Sequence, residues 1–133
     1  MKAEDLRLNN WVEIKDQEVK TYAQVEGIGN LQHVAGQLWS IEELEPIPLT
    51  EEWLTRFGFN DDGFKQYEFI NWGIKVKKDP HAISESNWIV FHGFMNQFSE
   101  LVSLKHVHQL QNLYFALTGE ELQTDENDQK VNQ

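Results

Sequence analysis

The sequence predicts an α+β fold: a small N-terminal SH3-like β unit, one short capped helix, then an antiparallel sheet with a C-terminal helix. Three observations predict it. Short alternating stretches separated by turn residues crowd residues 1–48, a helix with capping signals at both ends follows Pro46-Ile-Pro48, and helical periodicity returns near the end of the chain. The 133 residues fit one ordinary domain, or two small units sharing a core. At this length roughly two-thirds of the unfolded chain's surface can be buried.

Trp11-Val-Glu-Ile14 alternates apolar and polar residues, Tyr22 to Ile28 is a second strand, and His33 to Trp39, interrupted by Gly36, is a third. Asp16-Gln17 and Gly27-Ile-Gly-Asn30 supply turn chemistry between them. Ser40 to Glu45 reads as a single helical turn, after which the two prolines enforce extended backbone. This marks the boundary between a β unit, 1–48, and an α+β unit, 49–122, expected to pack on it.

The next element carries the clearest local signals. Thr50 is placed to accept from the first-turn N–H groups, and Glu51 and Glu52 suit the positive end of the helix dipole. Leu49 and Leu54 form a hydrophobic staple. Gly58 ends the helix in a left-handed conformation, with Phe59 folding back on Leu54, so a helix is expected from Glu51 to Phe57. Asn60-Asp61-Asp62-Gly63 reads as a turn, and Tyr67 to Lys77 as a strand pair kinked at Asn71 to Gly73. In that pair Ile74 and Val76 point one way, Lys75 and Lys77 the other. Asp79 to Ser86 is a polar loop. Asn87 to Phe94 is nearly continuous apolar, as in a buried strand, and Phe98 to Leu104 is another, with Phe98, Val102 and Leu104 on one face. Val107, Leu110, Leu113, Tyr114 and Leu117 then repeat at helical spacing up to Gly119, and 123–133 is a polar, acidic tail expected to be disordered.

Composition narrows the function. Five Trp and eight Phe exclude a disordered acidic chain, and the absence of cysteine excludes disulfides and Cys-ligated zinc. Met1 to Asn10 has no apolar signal core, and no apolar run approaches the ~18 residues of a membrane span. A cytoplasmic location without membrane attachment is expected. The net charge is −11, from 22 acidic and 11 basic residues. That disfavours direct nucleic-acid binding, which needs cations to displace counterions, and favours a basic partner.

Candidate chemistry is sparse. His106 and His108 form an H-x-H pair and His92 lies on a nearby strand, so three imidazoles could ligate zinc if they converge. The competing reading places His108 at the helix start as a cap or lining residue and His106 toward solvent. The pairs Glu42/Glu43, Glu51/Glu52, Asp61/Asp62 and Glu120/Glu121 fall in turns, caps or helix ends, where water keeps both members ionised, so hydrolytic acid–base work is not expected. No nucleophile elbow or phosphate-binding glycine motif occurs; the chain is expected not to be an enzyme and to need no cofactor or metal. Lys75, Lys77 and Lys78 beside Trp72 could touch a phosphate backbone, making a nucleic-acid module built on the N-terminal barrel the alternative, with a His-ligated metal protein as another. The acidic residues Glu42, Glu43, Glu45, Glu51, Glu52, Asp61 and Asp62 form the leading interaction surface, a fixed array of negative charge able to imitate phosphates.

Three segments carry a resemblance: Asp5-Leu-Arg-Leu-Asn-Asn-Trp-Val12, Ile47-Pro-Leu-Thr-Glu-Glu-Trp-Leu54 followed by Phe57-Gly-Phe59, and Val107-His-Gln-Leu-Gln-Asn-Leu-Tyr-Phe-Ala-Leu-Thr-Gly-Glu-Glu-Leu122. Together they resemble the signatures of a family of small uncharacterised proteins from Bacteroidetes genomes and their phages and other mobile elements, with Asn10 standing where that pattern has glycine. The resemblance supplies no catalytic residues. It implies a phage-associated accessory protein that binds a host protein, in its sharpest form an acidic inhibitor of a nucleic-acid-binding defence enzyme, as an anti-CRISPR is.

Overall fold

The computed structural model describes residues 1–61, 68–71, 73–78, 87–94 and 97–124. The fold is α+β, and the chain divides into two compact units. The first comprises Met1–Pro48 and His106–Glu121; the second comprises Leu49–Lys105 and the segment that starts at Leu122. Among the described residues, no helix is long and apolar enough to cross a membrane.

In the first unit, β1 (Trp11–Ile14), β2 (Thr21–Gly27), β3 (Gln32–Val34) and β4 (Gln37–Trp39) form an antiparallel meander. A 3-10 turn, Ile41–Glu43, leads to β5 (Leu44–Glu45), which returns to pair with β1, giving the order β4-β3-β2-β1-β5. The small SH3-like β unit expected over residues 1–48 is thus present as a curled sheet of five strands, where three were read. The segment read as one strand from His33 to Trp39 is instead a tight hairpin. Ala35 and Gly36 both take positive φ (51° and 77°), the conformation a two-residue hairpin turn requires. β5 was also hidden, because two residues carry no periodicity and only its bonds to β1 define it.

The core of this sheet is Leu6, Val12, Ile14, Val25, Val34 and Leu44, with Ala23, Trp39 and Ile41 packed at its margin. Val12 and Ile14 alternate with half-exposed Trp11 and Glu13, as the period of two demands.

The second unit opens on the short helix α1 (Glu51–Arg56), which begins with the Thr50 hydroxyl accepting from Trp53 N at 3.4 Å. It closes one residue earlier than expected, with Gly58 at φ 85°. Phe59 N donates to the Leu54 carbonyl and Gly58 N to that of Thr55, both at 3.0 Å, which are the two bonds of a Schellman motif.

The remaining strands of the second unit are β6 (Asn60–Asp61), β7 (Glu68–Asn71), β8 (Ile74–Lys78), β9 (Trp88–Phe94) and β10 (Gln97–Leu104), all antiparallel, in the order β10-β9-β8-β7-β6. Asn60 and Asp61, read as a turn, pair with β7 as an edge strand. Ile74 and Val76 are buried while Lys75 and Lys77 are half-exposed, as read from their alternation. β9 is not buried throughout: Trp88 and Val90 are buried, but His92 is exposed. In β10 the register shifts between Glu100 and Val102, so Leu101 is an extra residue and both Leu101 and Val102 reach the surface. Val102 and Leu104 both lie beyond the shift, opposite Val90 and Trp88, and of the two only Leu104 is buried. The Asp79 to Ser86 loop and the tail from 125 onward lie outside the described residues. The first tail residues are described, and Thr124 there is buried.

The helix α2 (Val107–Thr118) ends at Gly119 (φ 77°), as its sequence predicts. It was expected to close the second sheet. Instead it belongs to the first unit, where Gln111 Oε1 accepts from Trp11 N at 2.8 Å and Gln111 Nε2 donates to the Asn9 carbonyl at 2.9 Å. Its buried residues are Val107, His108, Leu110, Gln111 and Tyr114. The stripe is therefore rotated from the apolar one read in the sequence, and Leu113 and Leu117 are only half-buried.

Candidate functional site

The acidic residues expected to form one surface are distributed over both units. Glu42, Glu43 and Glu45 belong to the first; Glu51, Glu52 and Asp61 belong to the second, and Asp62 lies outside the described residues. All five glutamates are exposed. Two of them have local work. The Glu43 carboxylate accepts from Ser40 N at 3.1 Å and from Ser40 Oγ at 3.0 Å, closing the 3-10 turn. Glu45 lies opposite Glu13 in the β1–β5 pair, and Lys15 Nζ stands 3.8 Å from its Oε1, offsetting the like charges. Glu42 makes none of these contacts. Glu51 and Glu52 occupy the first turn of α1, and Glu121 pairs with Arg7 at 2.6 Å.

Lys75, Lys77 and Lys78 lie on β8 in the second unit, whereas the barrel-like sheet is in the first; Trp72 lies outside the described residues. The alternative nucleic-acid reading thus draws on residues of two units. His92, on β9, is likewise in the second unit, while His106 and His108 are in the first. Among the described residues, no three His, Asp or Glu side chains are grouped to hold a metal ion.

His106 and His108 do come together. Pro48 bridges to His106, and Val107 N donates to the Ile47 carbonyl at 2.8 Å, which fixes the start of α2 beside the end of the β unit. His106 N donates to Gln109 Oε1 at 3.0 Å, a reciprocal cap across the first turn. The two imidazole rings lie nearly parallel, 15° apart with centroids at 5.8 Å. His106, expected to face solvent, is half-buried. His108 is 5% exposed, and its Nδ1 is buried without a hydrogen-bond partner. Burial, together with His106 nearby, pushes its imidazole from the ordinary 6.5 down to about 4, against the opposing pull of Asp5.

Both rings line a polar cleft of about 450 Å³ with Glu4, Asp5, Pro46 and Asn112. Glu4 and Asp5 reach it from the 3-10 turn Ala3–Asp5, whose position is set by α2: Asn112 Nδ2 donates to the Asp5 carbonyl at 3.1 Å. The same side of α2 holds the chain just beyond. Asn112 Oδ1 accepts from Asn10 Nδ2 at 2.9 Å, and Asn10 Oδ1 accepts from Arg7 N at 2.7 Å. Asn10 is fully buried, and glycine at this position would forfeit both bonds. The Arg7 guanidinium stacks 4.4 Å over the Phe115 ring while paired with Glu121. The opening and closing motifs noted in the sequence therefore meet on one helix face. Gln111 and Asn112 were missed as functional positions; their signal was a pair of amides set within the apolar repeat of α2.

The uncharged state of His108 has a consequence for stability. The unfolded chain takes up a proton at this imidazole near pH 6.5, the folded chain only near 4, so the unfolded state binds more protons in between. Stability contributed by this group is present above about pH 6.5 and is lost as the pH falls toward 4. Urea midpoints should drop over that window more steeply in the wild type than in His108→Gln; equal slopes would show that His108 does not titrate as described. Asp5, His106 and the terminal amino group are the charges that act on it.

Comparison with known proteins adds no relative: no family model, no curated protein and no solved structure matches the chain significantly.

Proposed function

We propose that this is a non-catalytic binding protein that engages a basic host protein through exposed acidic residues of its first unit. In its sharpest form it is a phage or mobile-element accessory protein that occupies the nucleic-acid-binding surface of a defence enzyme, in the manner of an anti-CRISPR. The observation that carries the reading is the rigid presentation of Glu42, Glu43 and Glu45. Glu43 N donates to the Ser40 carbonyl at 3.0 Å and Lys15 N to the Glu43 carbonyl at 2.9 Å, so the turn is held from both sides. Exposed carboxylates on fixed backbone keep their charge and lose little entropy on binding, which suits electrostatic recognition. They do not suit acid–base catalysis, which requires a desolvated partner. The net charge of −11 adds a long-range field that attracts a basic protein.

The test is affinity capture from a host lysate before and after nuclease treatment, comparing wild type with the Glu42→Lys/Glu45→Lys double variant. Glu43 is left in place because its carboxylate closes the turn. A basic nucleic-acid-binding protein should be retained by the wild type after nuclease treatment and reduced at least about tenfold by the variant, since each charge lost from a complementary interface weakens steering and affinity. Recovery of nucleic acid alone, or undiminished capture by a correctly folded variant, would overturn the acidic-surface reading.

A further inference from the structure

We propose that the cleft lined by Glu4, Asp5, His106 and His108 receives the guanidinium group of an arginine side chain presented by a basic protein partner. That a protein carries the arginine rests on the function proposed above; the chemistry of the cleft stands on its own geometry. At about 450 Å³ the cleft lies within the roughly 300–1,000 Å³ of small-molecule sites. Its charged groups are the Glu4 and Asp5 carboxylates and the amino group of Met1, so the carboxylates outnumber the one positive charge and the balance favours a cation over a phosphate or another anion.

The kind of cation follows from the walls. A bare metal ion needs three or more ligands converging on one point, and these residues do not form such a group. A lysine ammonium is a compact, strongly hydrated charge that gains little from a flat surface. A guanidinium is planar, more weakly hydrated and able to stack on aromatic faces while its N–H groups reach carboxylates. The cleft supplies both parts: the half-buried His106 imidazole, backed by the His108 ring stacked 5.8 Å from it, and carboxylates on the 3-10 turn Ala3–Asp5.

Two further features fit this occupant. His108 is almost wholly buried with Nδ1 unpartnered, an expensive arrangement for a polar ring that serves packing alone. Burial also holds this ring uncharged at neutral pH, so it does not repel a cation in the cleft. Asn112 is already committed to Asp5 and Asn10, which fixes the carboxylate-bearing turn before any ligand arrives. Such preorganisation lowers the cost of binding.

The experiment uses the full chain and needs no partner protein. The histidine ring signals are followed by NMR at pH 7 during titration with Nα-acetyl-arginine methylamide and with its citrulline counterpart, which keeps the shape and lacks the charge. The expected result is a saturable shift of His106 and His108 with the arginine probe, and an apparent affinity at least about tenfold weaker for citrulline. Glu4→Gln and Asp5→Asn should each weaken the arginine titration by about three- to tenfold, the effect of removing a partly exposed charge partner. No saturable shift, equal response to citrulline, or two folded variants that titrate like the wild type would overturn the proposal. A negative result here leaves the acidic-surface reading intact, because that reading is tested separately at Glu42 and Glu45.

Discussion

Gln111→Leu is expected to destabilise the first unit by about 2–4 kcal/mol, although leucine matches glutamine closely in volume. Gln111 is fully buried, with its Oε1 taking the Trp11 N–H and its Nε2 serving the Asn9 carbonyl. Leucine would leave the Trp11 N–H buried without its acceptor, and an unmade buried hydrogen bond costs more than a made one contributes. The Asn9 carbonyl suffers less, because Gln24 Nε2 also donates to it at 2.9 Å. Gln111→Glu separates the two bonds. It keeps an acceptor for Trp11 but sets a carboxylate oxygen against the Asn9 carbonyl, so it should be the worse variant at neutral pH and improve as the carboxyl is protonated. Urea unfolding with hydrogen exchange of the Trp11 amide reads both effects. A Gln111→Leu variant within about 0.5 kcal/mol of wild type would show that the helix is held by its apolar residues alone.

Trp88→Ala should be the most damaging single change in the second unit, costing about 3–5 kcal/mol. Trp88 is 1% exposed at the start of β9, and its indole N–H donates to the Leu49 carbonyl at 2.8 Å. Leu49 in turn donates its own N–H to the Lys105 carbonyl at 2.9 Å, so this residue joins the entry of α1 to the end of β10. Trp88→Phe keeps much of the buried area and loses the bond, and should cost about 1–3 kcal/mol. The order alanine, phenylalanine, wild type in denaturant midpoint is the expected outcome. Equal loss in both variants would assign the whole effect to the hydrogen bond, and no loss in phenylalanine would remove the bond from the account.

The proposed site shows how far residue patterns reach. The H-x-H pair stood out in the sequence, and its placement at a helix start was read correctly, but neither the depth of His108 nor the parallel stacking of the rings could be. Those depend on Asp5 and Pro46, which are distant in the chain and come beside the rings only when α2 docks in the first unit. The acidic residues present the reverse case. Their charge and exposure were legible from composition and turn chemistry, whereas their division between two units was not.

Features encoded within a few residues were legible before any folding. Thr50 and Gly58 delimit α1 because a cap and a left-handed glycine act on the adjacent turn, and both appear with their expected bonds. Gly119 ends α2 for the same reason. The alternation of Val12 and Ile14, or of Ile74 and Val76, shows which strand face is buried. The place of α2 in the first unit, the strand at Leu44–Glu45 and the extra residue at Leu101 in β10 emerge only in the folded chain. Each of these depends on hydrogen bonds or packing between residues far apart in the chain. Gln111 is the clearest instance: its side chain is buried because, about a hundred residues earlier, a strand begins with an N–H that needs an acceptor.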